Sequence, residues 1–195
     1  MLEVEIKLAV GAADTEVRKL EALGARLSQP RGFEDNVLLD LPGRPLRARE
    51  AMLRVRSYGG RSFLTYKEPA PGPEGYKIRR ELEVTVSDFN AVIRVFECTG
   101  FTRVWRYMKY RTAFERNGLH LLLDETPIGN FLELEGERAA IDAVAAGLGR
   151  APTEYIALSY RVLFERECAR RGVVPGDMTF EAEASGKDAS GAVTT

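Results

Sequence analysis

Residues 3–7 read Glu-Val-Glu-Ile-Lys, a strand-type alternation that puts Glu3, Glu5 and Lys7 on one face and Val4, Ile6 and Leu8 on the other. Two carboxylates and an ammonium therefore leave the backbone in the same direction. The pattern returns at Leu53-Arg54-Val55-Arg56, Arg79-Arg80-Glu81-Leu82-Glu83 and Phe131-Leu132-Glu133-Leu134-Glu135. One such strand normally belongs to a half-buried sheet with its charges in water, and Val4, Ile6, Val55, Leu82, Val84, Leu132 and Leu134 would then form an ordinary core. Here the signs segregate into carboxylate pairs and an arginine pair instead of mixing with Ser, Thr and Gln. Like charges at neighbouring sites of one face repel. The pairs therefore predict counter-ligands, a divalent cation held by oxygen for the acidic ones and a polyanion for the basic ones. A triphosphate with bound metal meets both demands.

Working outward, Asp14 is placed to cap a helix whose apolar positions Val17, Leu20 and Leu23 recur until Gly24. Residues 25–40, 51–58 and 61–68 read as strands, the last two joined by Gly59-Gly60. The run 69–75, Pro-Ala-Pro-Gly-Pro-Glu-Gly, is a loop because each proline removes a ladder donor. A strand over 76–86 is followed by a helix that starts at Ser87-Asp88, carries Phe89, Val92, Ile93 and Phe96, and stops at Gly100. Strands near 101–116, 118–125 and 130–136 come next, with Asn117-Gly118 as a hairpin turn, and 137–148 and 159–171 are helical. The prediction is an α+β protein with eight or nine mostly antiparallel strands, a sheet large enough to close. An eight-stranded barrel has an interior wide enough for one small ligand.

A chain of 195 residues suits one domain, assigned to residues 1–172. Residues 173–195 are poor in apolar side chains and are expected to be a disordered tail. The net charge of -1 gives no sign of nucleic-acid or anionic-membrane binding. Cys98 and Cys168 lack metal or redox spacing and read as free thiols, which suits a reducing compartment. With no membrane-length apolar run and no secretory pattern, a cytoplasmic protein is expected. P-loop, HExxH, GxSxG and GxGxxG patterns are missing, so a Walker-type nucleotidase is excluded.

The ordered series of charged strands resembles the CYTH superfamily, or triphosphate tunnel metalloenzymes, which joins class IV adenylyl cyclases, thiamine triphosphatases and inorganic triphosphatases. The Glu-x-Glu-x-Lys opening stands as Glu3, Glu5 and Lys7, the paired arginines as Arg54 and Arg56, and the lysine strand as Lys67 in Thr-Tyr-Lys-Glu-Pro. Arg79, Glu81 and Glu83 follow, then Lys109 and Arg111, Asp124, and Gly129, Phe131, Glu133 and Glu135. The resemblance implies a closed, mostly antiparallel eight-stranded barrel with flanking helices, its charged side chains lining a tunnel. It implies a triphosphate clamp of Lys7, Arg54, Arg56, Lys67, Arg79, Lys109 and Arg111. Glu3, Glu5, Asp124, Glu133 and Glu135 would hold Mg²⁺ or Mn²⁺, with Glu3, Glu5, Lys7, Glu133 and Glu135 as the catalytic set. Glu81 and Glu83 would either bind a second metal or hold the tunnel arginines.

Three readings follow: a hydrolase releasing orthophosphate from tripolyphosphate, ATP or thiamine triphosphate; a cyclase making cyclic AMP and pyrophosphate; and a binding module without turnover. The complete acidic set disfavours the last. The chain is expected to be a monomer or homodimer without nucleic-acid or membrane partners. His120 reads as a structural or surface residue, and Phe101, Trp105 and Tyr107 as packing between sheet and helix.

Overall fold

A computed structural model of the chain describes residues 1–180. The strands are β1 (Leu2–Val10), β2 (Arg26–Asp40), β3 (Met52–Tyr58), β4 (Arg61–Pro69), β5 (Lys77–Val86), β6 (Thr102–Arg116), β7 (Leu119–Thr126) and β8 (Gly129–Glu135). The helices are α1 (Ala13–Ala22), the single turn α2 (Pro45–Ala48), α3 (Phe89–Cys98), α4 (Arg138–Gly147) and α5 (Tyr160–Arg171). The strands close into a barrel in the order β1-β5-β4-β3-β2-β6-β7-β8, every neighbouring pair antiparallel. Closure rests on β1, which pairs through Leu2–Glu5 with β5 and through Glu5–Val10 with β8. Closing the ring leaves no long sheet edge. The 15-residue strand β2 bends around the barrel through register shifts against β6 near Gln29 and Leu38.

The apolar faces of these strands point outward, against helices. Ile6 and Leu8 of β1, Leu121 and Leu123 of β7, and Leu132 and Leu134 of β8 pack with Leu20 of α1 and with Ile141 and Val144 of α4. Val37, Leu39 and Val55 meet Ile93 of α3, a helix started by Asp88, whose side chain accepts from the Ala91 amide. Trp105, stacked on Tyr107, packs with Phe131, with Tyr160 at the start of α5 and with Met178. Trp105 and Tyr107 share the face of Lys109 and Arg111, and Phe131 that of Glu133, so this third cluster closes the inner side of the barrel beneath α5, while the other two are layers outside the sheet.

Three expectations need correction. Leu82 and Val84 are 65% and 56% exposed, because α3 leaves β5 to lie over β3 and β6, and the outer face of β5 stays bare. The cap of α1 is Ala12, and Asp14 sits in the first turn, where its charge suits the helix dipole. The expected loop does follow Pro69; it folds against the outside of the barrel, where a Cβ on Gly72 would lie 1.9 Å from the Ile78 side chain, and the neighbouring Tyr76 hydroxyl donates to Asp142 of α4. Last, the segment after α5 is held rather than free up to the last described residue. β7 covers β6 only from Tyr110 onward, so the amide of Met108 donates to the Met178 carbonyl (2.9 Å) and the amide of Met178 to the Arg106 carbonyl (3.0 Å). The rest of the expected tail, residues 181–195, lies outside the described residues. Among the described residues no helix is long and apolar enough to cross a membrane.

Candidate functional site

Because the apolar faces look out, the charged faces look in. A cavity of about 870 Å³ enters the barrel from the end where β3 and β6 begin and β4 ends. Its walls include Glu3 and Glu5 of β1, Arg54 and Arg56 of β3, Lys67 of β4, Arg79, Glu81 and Glu83 of β5, Lys109 and Arg111 of β6, and Glu133 and Glu135 of β8. Lys7 and Asp124 stand directly behind them, bonded to Glu133 and Arg111. All the candidate side chains named from the sequence therefore come together in one channel.

Register explains the convergence. Side chains directly opposite in paired strands share a face. Glu5 faces Glu135 and Lys7 faces Glu133, which makes the β1–β8 wall acidic. Arg56 faces Asn36, Glu34 faces Lys109, and Arg111 faces Asp124, which gathers the guanidinium groups on the opposite side.

Burying so many charges is unfavourable unless each is paired. Lys67 donates to both oxygens of Glu3 (2.6 Å each) and lies 3.1 Å from Glu81. Lys77 and Lys7 both donate to Glu5 (2.5 and 2.8 Å), and Lys7 also reaches Glu133 (3.0 Å). Arg111 grips Asp124 with two bonds (2.6 and 2.7 Å) and contacts Glu133, while Arg56 donates to Glu83 (3.0 Å). Burial alone would raise the carboxyl pKa values. Lys7 and Lys77 outweigh that effect at Glu5 and hold it well below the usual range, and Lys7, Lys109 and Arg111 do the same at Glu133. Burial and the like charge of Lys7 push Lys77 below an ordinary lysine, against the pull of Glu5.

Glu135 is the exception. Among the described residues no side chain forms an ion pair or hydrogen bond with it, and burial together with Glu3, Glu5 and Glu133 raises its pKa to about 7. Excess negative charge is thus concentrated at this corner of the bore. Hard carboxylate oxygens with an unpaired member suit a divalent cation such as Mg²⁺ or Mn²⁺, so Glu3, Glu5, Glu133 and Glu135 fit the implied metal. No three such groups among the described residues already converge on one point, since lysines occupy the spaces between them. Asp124 fits less well: fully buried, it accepts from Arg111, Lys109 (2.8 Å) and the Tyr160 hydroxyl (2.7 Å). Glu81 and Glu83 are salt-bridge partners of Lys67 and Arg56.

The structure adds Lys77 and Glu34, which sequence reading passed over, and brings Tyr107, expected only to pack between sheet and helix, into the bore. Lys77 continues the alternation of Arg79, Glu81 and Glu83 two positions back, and Tyr107, whose hydroxyl accepts from Arg54 (3.1 Å), continues that of Lys109 and Arg111. Glu34 is fully buried beneath Lys109 (3.5 Å), Arg56 (3.7 Å) and Arg111 (3.9 Å), cations that overcome burial and hold its pKa at about 2. Glu34 Oε2, Asn36 Oδ1 and the Nε atoms of Arg54 and Arg56 are buried without a hydrogen-bond partner. All four atoms belong to the β2–β3 wall. His120 lies on the rim at the other end of the barrel, 3.7 Å from Glu115.

Comparison with known proteins agrees with this architecture. The family model of the CYTH domain matches residues 1–151. A protein of Methanocaldococcus jannaschii named as a candidate adenylate cyclase is 30% identical over 136 residues, covering 69% of this chain and 77% of that protein. A solved Pyrococcus horikoshii structure superposes with a TM-score of 0.67 at 28% identity, covering 81% of this chain and 96% of the other. A Hippeastrum protein, described as a candidate adenylyl cyclase with a dominant triphosphatase activity, superposes with a TM-score of 0.58 at 19% identity, covering 89% and 97% of the two chains.

Proposed function

This chain belongs to the CYTH domain family, and from that premise we propose that it is a divalent-metal-dependent enzyme that hydrolyses a triphosphate and releases orthophosphate. The observation that carries the proposal is the division of one enclosed bore into an acidic wall on β1 and β8 and a guanidinium-rich wall on β3 and β6. A triphosphate lying between them has anionic oxygens toward one wall and bound metal toward the other.

In this reading Lys7, Arg54, Arg56, Lys67, Arg79, Lys109 and Arg111 clamp the phosphates, joined by Lys77. Arginine forks suit bidentate contact with phosphoryl oxygens, and lysines supply compact charge. Glu3, Glu5, Glu133 and Glu135 would hold Mg²⁺ or Mn²⁺, which would neutralise phosphate oxygens and make the attacking water more acidic. Asp124 positions Arg111 and Lys109, and Glu83 positions Arg56. Phosphoryl transfer needs placement and charge neutralisation more than a covalent nucleophile. Lys67, Lys77 and Lys7 are paired with carboxylates of the metal set. Each is therefore free to turn to a phosphoryl oxygen once its carboxylate has another cation.

Cyclisation of ATP is the second reading, favoured by the name of the Methanocaldococcus jannaschii relative; the activity described for the Hippeastrum fold neighbour favours hydrolysis. A product assay separates them. ATP, tripolyphosphate and thiamine triphosphate are each incubated with the protein and Mg²⁺ or Mn²⁺. Orthophosphate is the expected product, cyclic AMP with pyrophosphate would replace the proposal by the second reading, and binding without product would refute catalysis.

A further inference from the structure

A second cavity, of about 350 Å³, opens at the opposite end of the barrel, beside the β3–β4 and β6–β7 hairpins. Along β3 the first cavity is lined from Met52 to Arg56 and the second from Arg56 to Tyr58; along β6 the handover falls at Arg111. Arg56, Glu83 and Arg111 line both chambers, so the two are separated by side chains alone. The crossing is held by the Arg56–Glu83 pair, with Glu83 also accepting from Thr65 (2.7 Å). Arg56 Nε is buried there without a hydrogen-bond partner. Beyond the crossing the rear chamber presents Arg61 and His120 toward solvent, with Arg61 over the Phe63 ring. The walls of this passage carry guanidinium groups at its inner end, its waist and its mouth, together with the carboxylates of Glu83 at the waist and Glu115 at the mouth, the latter 3.7 Å from His120.

The order of the substrate's parts gives the passage a use. A triphosphate that enters from the larger front chamber carries its terminal phosphoryl group innermost, beside Arg56 and Arg111. Once that group is cleaved, the remaining diphosphate product fills the way back, and the rear route is closed only by side chains, chiefly the Arg56–Glu83 pair. We propose that the rear mouth is the exit for orthophosphate, with Arg56 passing the anion from the clamp to Arg61 and His120 as the Arg56–Glu83 pair opens. This inference rests on the hydrolytic reading above. It makes the barrel a one-way conduit, in which the next triphosphate need not wait for phosphate to leave by the front.

The test uses Arg61→Glu combined with His120→Glu, two exposed positions outside the clamp and the metal set, on the full chain with tripolyphosphate or whichever triphosphate the unaltered protein cleaves. The expected result is an unchanged single-turnover cleavage rate, a steady-state kcat lower by about tenfold and a burst of cleaved but unreleased phosphate. In the unaltered protein, added orthophosphate is expected to inhibit noncompetitively against the triphosphate, because it binds at the rear while substrate binds at the front. An unchanged steady-state rate in the double variant, a single-turnover rate that falls in step with kcat, or purely competitive inhibition by orthophosphate would overturn the exit while leaving hydrolysis intact. An unaltered protein that releases no orthophosphate from any triphosphate would instead overturn the hydrolytic reading on which the exit depends.

Discussion

Ile6 and Lys7 are neighbours in sequence and equally sealed from water, at 0% and 1% exposure, yet they occupy opposite worlds. Ile6 lies in the mantle between sheet and helices, where Leu132, Leu134 and Ile141 surround it and any apolar side chain of similar volume would serve. Lys7 lies in the bore wall, where its ammonium bridges Glu5 and Glu133 and packs 5.2 Å over the Tyr160 ring. The mantle supplies cohesion and is indifferent to detail. The bore contributes little net stability, since buried ion pairs roughly repay their desolvation, and it is therefore the region where residue identity reflects chemistry rather than folding. With Lys77 and Glu34 included, its carboxylates and cations balance, so the bore rests as a set of internal ion pairs that a metal and a triphosphate can exchange for external ones.

Breaking the bore on its acidic wall is expected to have the largest effect. Glu5→Ala or Glu133→Ala should reduce turnover at least about a hundredfold and abolish its dependence on Mg²⁺ or Mn²⁺, while the mantle keeps the fold. Assays across metal concentration check this, and full turnover in either variant would remove these residues from the site. Arg111→Ala comes next, since it takes from Asp124 its two-bond partner and from Glu133 one of its cations; a loss of about 3–5 kcal/mol is expected on urea unfolding. In the mantle, Leu134→Ala should cost about 2–4 kcal/mol through the cavity it leaves, with KM for the triphosphate unchanged. Lost stability with retained affinity is the mark of a mantle residue, whereas a bore residue loses turnover whatever its cost in stability.

A subtler change sharpens the contrast. Glu34→Gln keeps the shape and the contact with Asn36 but removes the carboxylate beneath Lys109, Arg56 and Arg111. Those cations then keep only Asp124, Glu133 and Glu83 as counter-charges, so tripolyphosphate should bind several-fold tighter by calorimetry, and weaker binding would show that Glu34 serves only to orient them. The smallest effect is on pH dependence. Glu135 holds its proton to about pH 7 in the folded protein, so between the ordinary glutamate pKa and 7 the folded state binds more protons than the unfolded one. Stability without divalent metal should accordingly fall as pH rises across that window. The urea midpoint measured at several pH values should show this decline, and Glu135→Gln should flatten it; an equal slope in both proteins would reject Glu135 as the source.

Much of this was legible in the sequence because two periodicities coincide in it. Where charge and apolar residues alternate strictly, as at 3–8, 53–56 and 131–135, strand limits and inward faces follow directly. Glu34 escaped notice because Phe33-Glu34-Asp35-Asn36 is polar on both faces: Glu34 and Asn36 turn toward the bore while Asp35 turns out to bind Arg106 (2.9 and 3.0 Å). Without apolar neighbours there is no contrast to read. Lys77 was obscured by the glycine turn just before it. The hold on residues 176–178 was also invisible to composition, because it comes from backbone groups of β6 that β7 leaves unpaired. The bare faces of Leu82 and Val84 depend on where α3 packs, which local sequence does not specify.

The most direct measurement is a crystal structure of the protein with tripolyphosphate and Mn²⁺, using the anomalous signal of manganese to locate the metal. Manganese is expected among Glu3, Glu5, Glu133 and Glu135, and phosphoryl oxygens on Arg54, Arg56, Lys109 and Arg111 inside the barrel. Tripolyphosphate bound on the outer surface, or manganese remote from β1 and β8, would contradict that placement.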